Sequence, residues 1–256
     1  MFNNDDLHFL RNDELDVLAR YLEPGSRVLE LGAGTGFQAL GLTERGFRVT
    51  AIDLPDSSLS LSRVYPVTDY DGRVIPFPDA SFDVVFSSNV LEHIRDLPAM
   101  LTETRRVLRP GGYALHAMPS PAWRFWTSVA GPIDMLPFIA ASLAGRSVGP
   151  KRSRQQSRAV EFAKGCVTRF APLAHGETGN ALTELSTFSK SSWVRRFEEN
   201  GYRVLEAEPM NLFYTGWCVL GRQWSIETRR RLASVLGSAC YVYKVQPHFA
   251  SAPLGA

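Results

Sequence analysis

The sequence predicts an α/β fold in which helices cover both faces of an open, doubly wound, mostly parallel sheet. Strand-like and helix-like segments alternate from residue 27 to residue 118, a turn with three glycines follows the first strand, and the apolar run FDVVFSS at 82–88 is typical of a buried strand. Strands joined through helices make right-handed crossovers and therefore pair in parallel. With 256 residues, of which 45% are hydrophobic, the chain is large enough to bury a full core as one domain.

The elements follow in order along the chain. Leu15, Leu18 and Leu22 follow Asn12 at helical spacing, which predicts a capped amphipathic helix ending at Pro24-Gly25. The alternation then predicts strand 27–31, helix 36–45, strand 47–53, a short helix 59–63, strand 82–88, helix 97–108 and strand 113–118.

The alternation stops after residue 119 and resumes near residue 187. The segment in between combines an aromatic patch (Trp123, Phe125 and Trp126), a broken apolar run and the basic stretch GRSVGPKRSRQQSR, which indicates an insertion. After it we expect a helix at 189–200, a strand at 202–207 and a strand at 212–220. The short turn at 208–211 predicts an antiparallel hairpin for these two strands, and a last helix is expected at about 225–238.

Composition and charge exclude several classes of function. A net charge of +2 gives no reason to expect a nucleic-acid partner. The three cysteines, Cys166, Cys218 and Cys240, are widely spaced without a metal-ligand pattern, so we expect a reduced compartment and no metal. The acidic first residues do not resemble a secretory signal, and no apolar run reaches the roughly 20 residues of a spanning helix. We therefore expect a cytoplasmic protein.

The turn in VLELGAGTGFQAL, residues 28–40, is the first candidate binding site. Ligands of open α/β sheets bind at the carboxyl ends of the strands, and glycines allow a close approach of the backbone. A dinucleotide-binding turn has the spacing G-x-G-x-x-G/A, but Phe37 stands here at the third position. Glu30 would repel a pyrophosphate, whereas Asp53, at the end of the second strand, is placed to bind a ribose diol. The pattern predicts a nucleoside ligand that carries a positive charge.

VLELGAGTG followed by VTAIDLP resembles the first two motifs of S-adenosylmethionine-dependent methyltransferases with a Rossmann-like sheet. Residues 71–121 resemble the branch called methyltransferase type 11. The resemblance implies a seven-stranded sheet of order 3-2-1-4-5-7-6 with strand 7 antiparallel, S-adenosyl-L-methionine as cofactor and S-adenosyl-L-homocysteine as product. The segment after the second strand is shorter than is usual in this family.

The resemblance also implies a division of the chain and a set of cofactor-binding residues. We expect a single domain, 1–256, with an N-terminal helix (1–25), a Rossmann-like core (26–119 and 187–222), an insertion that serves as substrate lid (120–186) and a C-terminal helix and tail (223–256). Glu30 would bind the methionine amino group, Asp53 the ribose hydroxyls and Asp71 the adenine amine. The full cofactor-binding set is Glu30, Gly32, Ala33, Gly34, Gly36, Asp53, Leu54, Asp71, Gly72, Ser87 and Ser88.

Two histidines are candidates for catalysis. His93, in the LEH sequence after the predicted strand 82–88, lies where this family's site faces the substrate, although a local hydrogen bond would also explain a histidine at this position. His175 stands in AHGETGNALTEL, where it would act as base with Glu177 as its orienting carboxylate, unless the segment is only a surface loop. Asn180 would hold a substrate oxygen, and Trp123 and Trp126 would line a lid over the substrate.

The acceptor is inferred from the residues directly after the predicted strand 82–88. The Asn/Asp-Pro-Pro-Tyr signature of many nucleic-acid and protein-amide N-methyltransferases is replaced by SSNVLEH, which favours O-methylation of a small-molecule or glycan-linked acceptor. Two alternatives stay open. Residues 123–158 would contact a membrane surface if the acceptor is lipophilic, because five basic residues come after the apolar run. The chain would otherwise be a catalytically silent, methyltransferase-like partner subunit.

Overall fold

The structure, a computed structural model, describes residues 4–55, 57, 60–143, 175–176, 180–216 and 221–248. Its central sheet has seven strands in the order β3-β2-β1-β4-β5-β7-β6. The strands are β1 Arg27–Leu31, β2 Arg48–Asp53, β3 Val67–Asp69, β4 Phe82–Ser88, β5 Leu108–Pro119, β6 Tyr202–Pro209 and β7 Cys240–Pro247. Strands β1 to β5 pair in parallel, and β7 is antiparallel to both β5 and β6. The predicted fold class and strand order are confirmed.

Seven helices lie in the described part of the chain. They are α1 Asn4–Ala19, α2 Phe37–Glu44, α3 Leu97–Val107, α4 Pro121–Leu143, α5 Ala181–Thr187, α6 Lys190–Glu199 and α7 Ile226–Leu236. Side chains cap several of them: Asp96 accepts the backbone N–H of Ala99 at the start of α3, and Ser189 accepts that of Ser192 at the start of α6. None of the helices described is long and apolar enough to span a membrane.

The core lies on both faces of the sheet. Successive strand residues point to opposite faces, so Val28 and Val84 pack into one cluster while Leu29 and Val85 pack into another. The first cluster is covered by α1 and the second by α3 and α6. Burial on both faces explains why β1 and β4 are continuous apolar runs rather than alternating ones.

The last strand differs from the prediction. The sequence pattern predicted a hairpin of 202–207 with 212–220, but residues 211–215 form no strand and β7 comes from Cys240–Pro247, after α7. Leu212 and Tyr214 are buried in the core instead, and Ala239 donates its backbone N–H to the Leu212 carbonyl. An apolar run buried by packing has the same composition as a buried strand, which is why the pattern misled. The segment 223–256, which was expected to be only a helix and a tail, therefore also contains a strand of the core sheet.

The first helix also differs from the prediction. It begins at Asn4, so Asn12 lies inside α1 and is not its cap. Leu10, Leu15 and Leu18 are buried against the sheet, which holds the helix across the region where Asn12 suggested a start. The extra turns carry His8 and Arg11 toward the glycine turn.

Candidate functional site

The glycine turn joins β1 to α2 at the carboxyl edge of the sheet. Gly32, Gly34 and Gly36 have φ values of 73°, 57° and 76°, in the left-handed region that favours glycine. The turn is held against β2, because Gly32 and Ala33 donate backbone N–H groups to the Ile52 carbonyl over 2.9 and 3.0 Å. A Cβ at Gly32 would lie 2.6 Å from Val90 Cγ2, so only glycine fits there.

Glu30 lies on β1 below the turn with only 2% of its surface exposed. Burial raises the pKa of its carboxyl to about 8, the Ala39 backbone N–H opposes this rise, and the nearby Asp53 charge adds to it. Its Oε2 has no hydrogen-bond partner among the residues described. A buried acceptor without a donor is costly, and an ammonium group supplies both donors and the compensating charge. Glu30 therefore fits the methionine amino group of the expected cofactor.

Asp53 is the last residue of β2 and links the end of that strand to the glycine turn. Its Oδ2 accepts the Gly34 backbone N–H and its Oδ1 accepts that of Leu54, both over 2.7 Å. An ionised carboxylate has about four acceptor positions, so two remain for hydroxyl groups. Leu54 also approaches Gly72, where an added Cβ would lie 2.9 Å from Leu54 Cδ2. The residues predicted for ribose and adenine thus lie side by side at one edge of the sheet.

Asp71 lies just beyond β3 and shapes its own turn. Its Oδ1 accepts the backbone N–H groups of Arg73 and Val74 over 2.8 and 2.9 Å. These donors lower the pKa of the Asp71 carboxyl. The side chain is thus ionised and held in place by its neighbours, with acceptor positions left over for an amine.

Ser87 and Ser88 end β4 beside Leu31, the last residue of β1. The Ser87 hydroxyl lies 2.8 Å from His116 Nδ1 and is buried, so its hydroxyl is engaged by the core. Burial lowers the pKa of His116 to about 3, which keeps that imidazole neutral. The Ser88 hydroxyl accepts from Arg11 Nη1 over 3.1 Å. The Ser87 and Ser88 hydroxyls are thus engaged by protein groups, and their place in the cofactor site stays a prediction.

Helix α1 adds residues that sequence patterns did not predict. The His8 ring stacks on Phe37, the first residue of α2, with centroids 4.0 Å apart. Arg11 pairs with Glu14 at 2.6 Å, and Glu14 in turn accepts from the Tyr214 hydroxyl at 2.7 Å. The only signal in the sequence is that His8 and Arg11 are three residues apart, on one helical face. These contacts place α1 over the glycine turn.

Cys240 lies beside this network, with its Sγ 3.1 Å from the Tyr214 hydroxyl. Burial raises the pKa of the Cys240 thiol, so it is not a ready nucleophile. Cys240 is a free, buried cysteine. Cys166 and Cys218 lie outside the described residues.

The two candidate histidines come together beside the glycine turn. Val90, which contacts Gly32, begins the short 3₁₀ segment Leu91–His93, and the rings of His93 and His175 lie 4.8 Å apart. Glu92, which the sequence did not indicate, lies between them with its Oε1 3.6 Å from His175 Nε2 and 3.9 Å from His93 Nε2. Its position next to His93 in the LEH sequence was the available signal. Residues 82 positions apart thus form one cluster.

His175 is held by a buried ion pair and by aromatic rings. Glu184 Oε1 accepts the backbone N–H groups of His175 and Gly176 over 2.5 and 2.8 Å, while its Oε2 lies 2.8 Å from Arg124 Nε. The Trp123 ring lies 4.6 Å from the His175 ring in an edge-on arrangement. The chain at 175–176 is therefore anchored to both α4 and α5. Neither Arg124 nor Glu184 was predicted as part of the site.

The remaining substrate candidates are placed differently. Trp123 is buried and forms a wall beside His175. Trp126 donates its Nε1–H to the Leu236 carbonyl, which turns it toward α7 and away from the histidines. Asn180 caps α5, because its Oδ1 accepts the backbone N–H groups of Leu182 and Thr183. That oxygen is thus engaged locally rather than presented to a substrate, since Asn is a favoured helix cap. Glu177 lies outside the described residues.

Residues 29–116 match the family described as "Methyltransferase domain". The chain is 43% identical over 96 residues to malonyl-(acyl-carrier protein) O-methyltransferase of Serratia marcescens, covering 36% of this chain and 38% of that protein. It is 40% identical over 93 residues to demethylmenaquinone methyltransferase of Corynebacterium efficiens, covering 36% and 40%. The chain thus matches less than two thirds of the length of either curated relative.

A solved structure shares the fold of the chain. An S-adenosylmethionine-dependent methyltransferase from Mesorhizobium loti aligns over 91% of this chain and 97% of its own, with a TM-score of 0.52 and 18% identity. This likeness shows the fold alone. The match of residues 29–116 agrees with the class recognised from the sequence, the S-adenosylmethionine-dependent methyltransferases, and the structural likeness agrees with its Rossmann-like sheet. The class implies S-adenosyl-L-methionine as the cofactor.

Proposed function

We propose that the protein transfers a methyl group from S-adenosyl-L-methionine to an oxygen atom of a small-molecule or glycan-linked acceptor. The observation that carries the proposal is the buried Glu30 carboxyl beside the glycine turn, with an oxygen that has no partner among the described residues. A cationic amino group satisfies that oxygen and a phosphate does not. Asp53, Asp71 and the glycine turn support a nucleoside on the same edge of the sheet.

Glu30, Asp53, Asp71 and the glycine turn would hold the cofactor, which would supply a methyl group on a positively charged sulfur; the acceptor oxygen would attack that methyl carbon in line with the departing sulfur. A carbon–oxygen bond forms, the carbon–sulfur bond breaks, and the electron pair of that bond stays on the sulfur of S-adenosyl-L-homocysteine. The protein contributes position and exclusion of water. A neutral hydroxyl also has to lose its proton. The imidazoles of His175 and His93 support this step, because they lie together next to the residue that packs on Gly32.

We also propose that residues 120–186 serve as a lid that covers the acceptor. Trp123 and Arg124 of α4 support the assignment through their contacts with His175 and Glu184. Substrate contacts made by a segment outside the central sheet would differ between relatives, which agrees with the two different acceptors in the relatives' names.

A lipophilic acceptor at a membrane surface is the second candidate. Phe125, Val129 and Ile133 are exposed and lie four residues apart on α4, so they form one apolar face. The name of one relative, demethylmenaquinone methyltransferase, also supports this candidate. The basic residues Arg146, Lys151, Arg152, Arg154 and Arg158, which were expected to contact the membrane, lie outside the described residues.

Calorimetry with S-adenosyl-L-methionine tests the cofactor, with E30Q as the variant and E198Q, at an exposed position, as the control. We expect saturable binding by the wild type and E198Q and at least tenfold weaker binding by E30Q. Absence of binding by the wild type would favour the remaining alternative, a catalytically silent partner subunit. Transfer of radiolabelled methyl groups to hydroxyl, amine and carboxylate acceptors then tests the acceptor atom, and labelling of amines alone would contradict O-methylation.

Sedimentation with vesicles that contain anionic lipid separates the two candidate acceptors. If α4 contacts a membrane, the double substitution F125S/V129S should reduce sedimentation, whereas V235S, at an exposed position on α7, should not. Absence of sedimentation would leave only the water-soluble acceptor, and equal sedimentation of all three proteins would contradict a membrane contact through α4.

A further inference from the structure

Glu92 is a buried carboxylate without hydrogen-bond donors. Its side chain has no exposed surface, and neither Oε1 nor Oε2 has a hydrogen-bond partner among the residues described. Burial of a charge is expensive unless opposite charge or donors compensate it. The two imidazole nitrogens nearest to it lie at 3.6 and 3.9 Å, beyond the range of a hydrogen bond. Neither imidazole therefore donates a hydrogen bond to the Glu92 carboxylate in this arrangement.

The separations among the three side chains suit a small ion between them. One ligand atom from each of Glu92, His93 and His175 can be chosen so that all lie within 4.8 Å of one another. With metal–ligand bonds of about 2.0–2.2 Å, a tetrahedral ion holds its ligand atoms about 3.3–3.6 Å apart. Two of the three separations are near that value. The side chains of His93 and His175 are 41% and 32% exposed, so ring rotation can supply the remaining shift.

We infer that Glu92, His93 and His175 bind a divalent transition-metal ion, of which Zn²⁺ is the representative. Two imidazoles and one carboxylate are ligands that suit zinc, manganese, iron and cobalt, and they disfavour Ca²⁺, which takes oxygen ligands only. Three protein ligands leave a fourth position for water or another oxygen. The two histidines form the more exposed side of the cluster, and Glu92 its buried side.

The surroundings of His175 fix this ligand set. Its backbone is held by Glu184, and an added Cβ at Gly176 would lie 2.9 Å from the Glu92 carbonyl oxygen, so the two segments touch. Trp123 packs edge-on against the His175 ring. Such neighbours orient metal ligands in known sites and contribute to affinity.

The effect of a bound ion on catalysis rests on the proposed function. An imidazole nitrogen that ligates a metal cannot accept a proton from a hydroxyl. A bound ion therefore competes with the general-base role proposed for His175 and His93, and saturation with Zn²⁺ should slow O-methylation at least tenfold.

Metal binding is tested on the full chain after dialysis against a chelator. Calorimetric titration with Zn²⁺, and the visible absorption of added Co²⁺, should show one ion per chain. E92Q and H175N should each weaken binding at least tenfold, whereas H248N, at an exposed histidine outside the cluster, should bind as the wild type does. Far-UV circular dichroism shows whether the variants fold, and H93N repeats the test if one of them does not.

Two outcomes would overturn the site: no saturable binding by the wild type, or equal affinity in E92Q, H175N and H248N. Cofactor binding is measured separately, so its absence overturns the proposed function and leaves the metal site standing. If Zn²⁺ binds but methylation is unchanged, the general-base assignment fails and the metal site remains.

Discussion

Gly34 donates its backbone N–H to the Asp53 carboxylate over 2.7 Å, and this bond ties the glycine turn after β1 to the end of β2. The same carboxylate accepts the Leu54 N–H, so Asp53 orders two segments that line the candidate cofactor site. A single residue therefore shapes the turn and still has acceptor positions for a ligand.

Substitution D53N should weaken cofactor binding about 10- to 100-fold. An amide has one acceptor oxygen in place of two, so either Gly34 or Leu54 loses its acceptor and the ribose loses a charged partner, each bond being worth roughly 1.5–3 kcal/mol. D79N, at an exposed carboxylate that contacts Arg106, is the matched control. Calorimetry with S-adenosyl-L-homocysteine measures the change, and equal affinities of the two variants would contradict the role of Asp53.

Substitution E30Q should stabilise the free protein while it impairs cofactor binding. Burial raises the pKa of Glu30 from 4.5 to about 8. Below pH 4.5 the carboxyl is protonated in both the folded and the unfolded protein, and its burial then costs no charge. As the pH rises toward 8, the unfolded chain ionises first, and the free energy of unfolding falls by up to about 4 kcal/mol at pH 7.5. Glutamine has no charge to bury. The melting temperature of E30Q relative to the wild type should therefore increase from pH 5 to pH 8, and a constant difference would contradict a raised pKa.

Cofactor binding at pH 6.5 should release close to one proton per chain. With a pKa of about 8, the Glu30 carboxyl is protonated in the free protein at this pH, and a bound ammonium favours the carboxylate. The α-amino group of the ligand is already charged there, since such groups titrate near 7.7–8.0. Calorimetry in buffers of different ionisation enthalpy counts the protons. A release that persists in E30Q would have another source.

Substitution G32A should impair folding and cofactor binding more than G25A does. Both glycines have nearly the same φ, 73° and 75°, so the strain of a left-handed alanine, roughly 1–3 kcal/mol, is common to them. Only at Gly32 does the new Cβ meet a neighbour, Val90, at 2.6 Å. Chemical denaturation and calorimetry compare the two variants, and equal losses would show that the contact with Val90 relaxes easily.

Substitution E184Q should destabilise the protein by about 3–5 kcal/mol, because it leaves the nearly buried Arg124 guanidinium without its carboxylate. E227Q breaks an ion pair with Arg231 that is 74–79% exposed and should cost less than about 1 kcal/mol. E184Q also loosens the anchor of His175, so methyl transfer should slow even where the variant is fully folded. Unchanged turnover would show that the anchor does not position His175.

The parallel half of the fold, and the glycine turn at the carboxyl edge of the sheet, could be predicted from the sequence. β1 and β4 are buried on both faces and therefore contain largely apolar runs, and the left-handed dihedral angles of the turn favour glycine at 32, 34 and 36. Glu30 and Asp53 belong to the same short stretches. These features are local, so composition and spacing over a few residues suffice to predict them.

The partner of β6, the start of α1 and the acceptor end of the candidate site depend on the tertiary structure. Either Leu212–Tyr214 or Cys240–Pro247 could have been the strand next to β6. An apolar segment that packs against the sheet has the same composition as one that forms a strand within it, so the sequence pattern could not distinguish them. The start of α1, the burial of Glu92 and the meeting of His93 with His175 depend on contacts between residues far apart in the chain. The acceptor end of the candidate site consists of such contacts, and no local pattern encodes them.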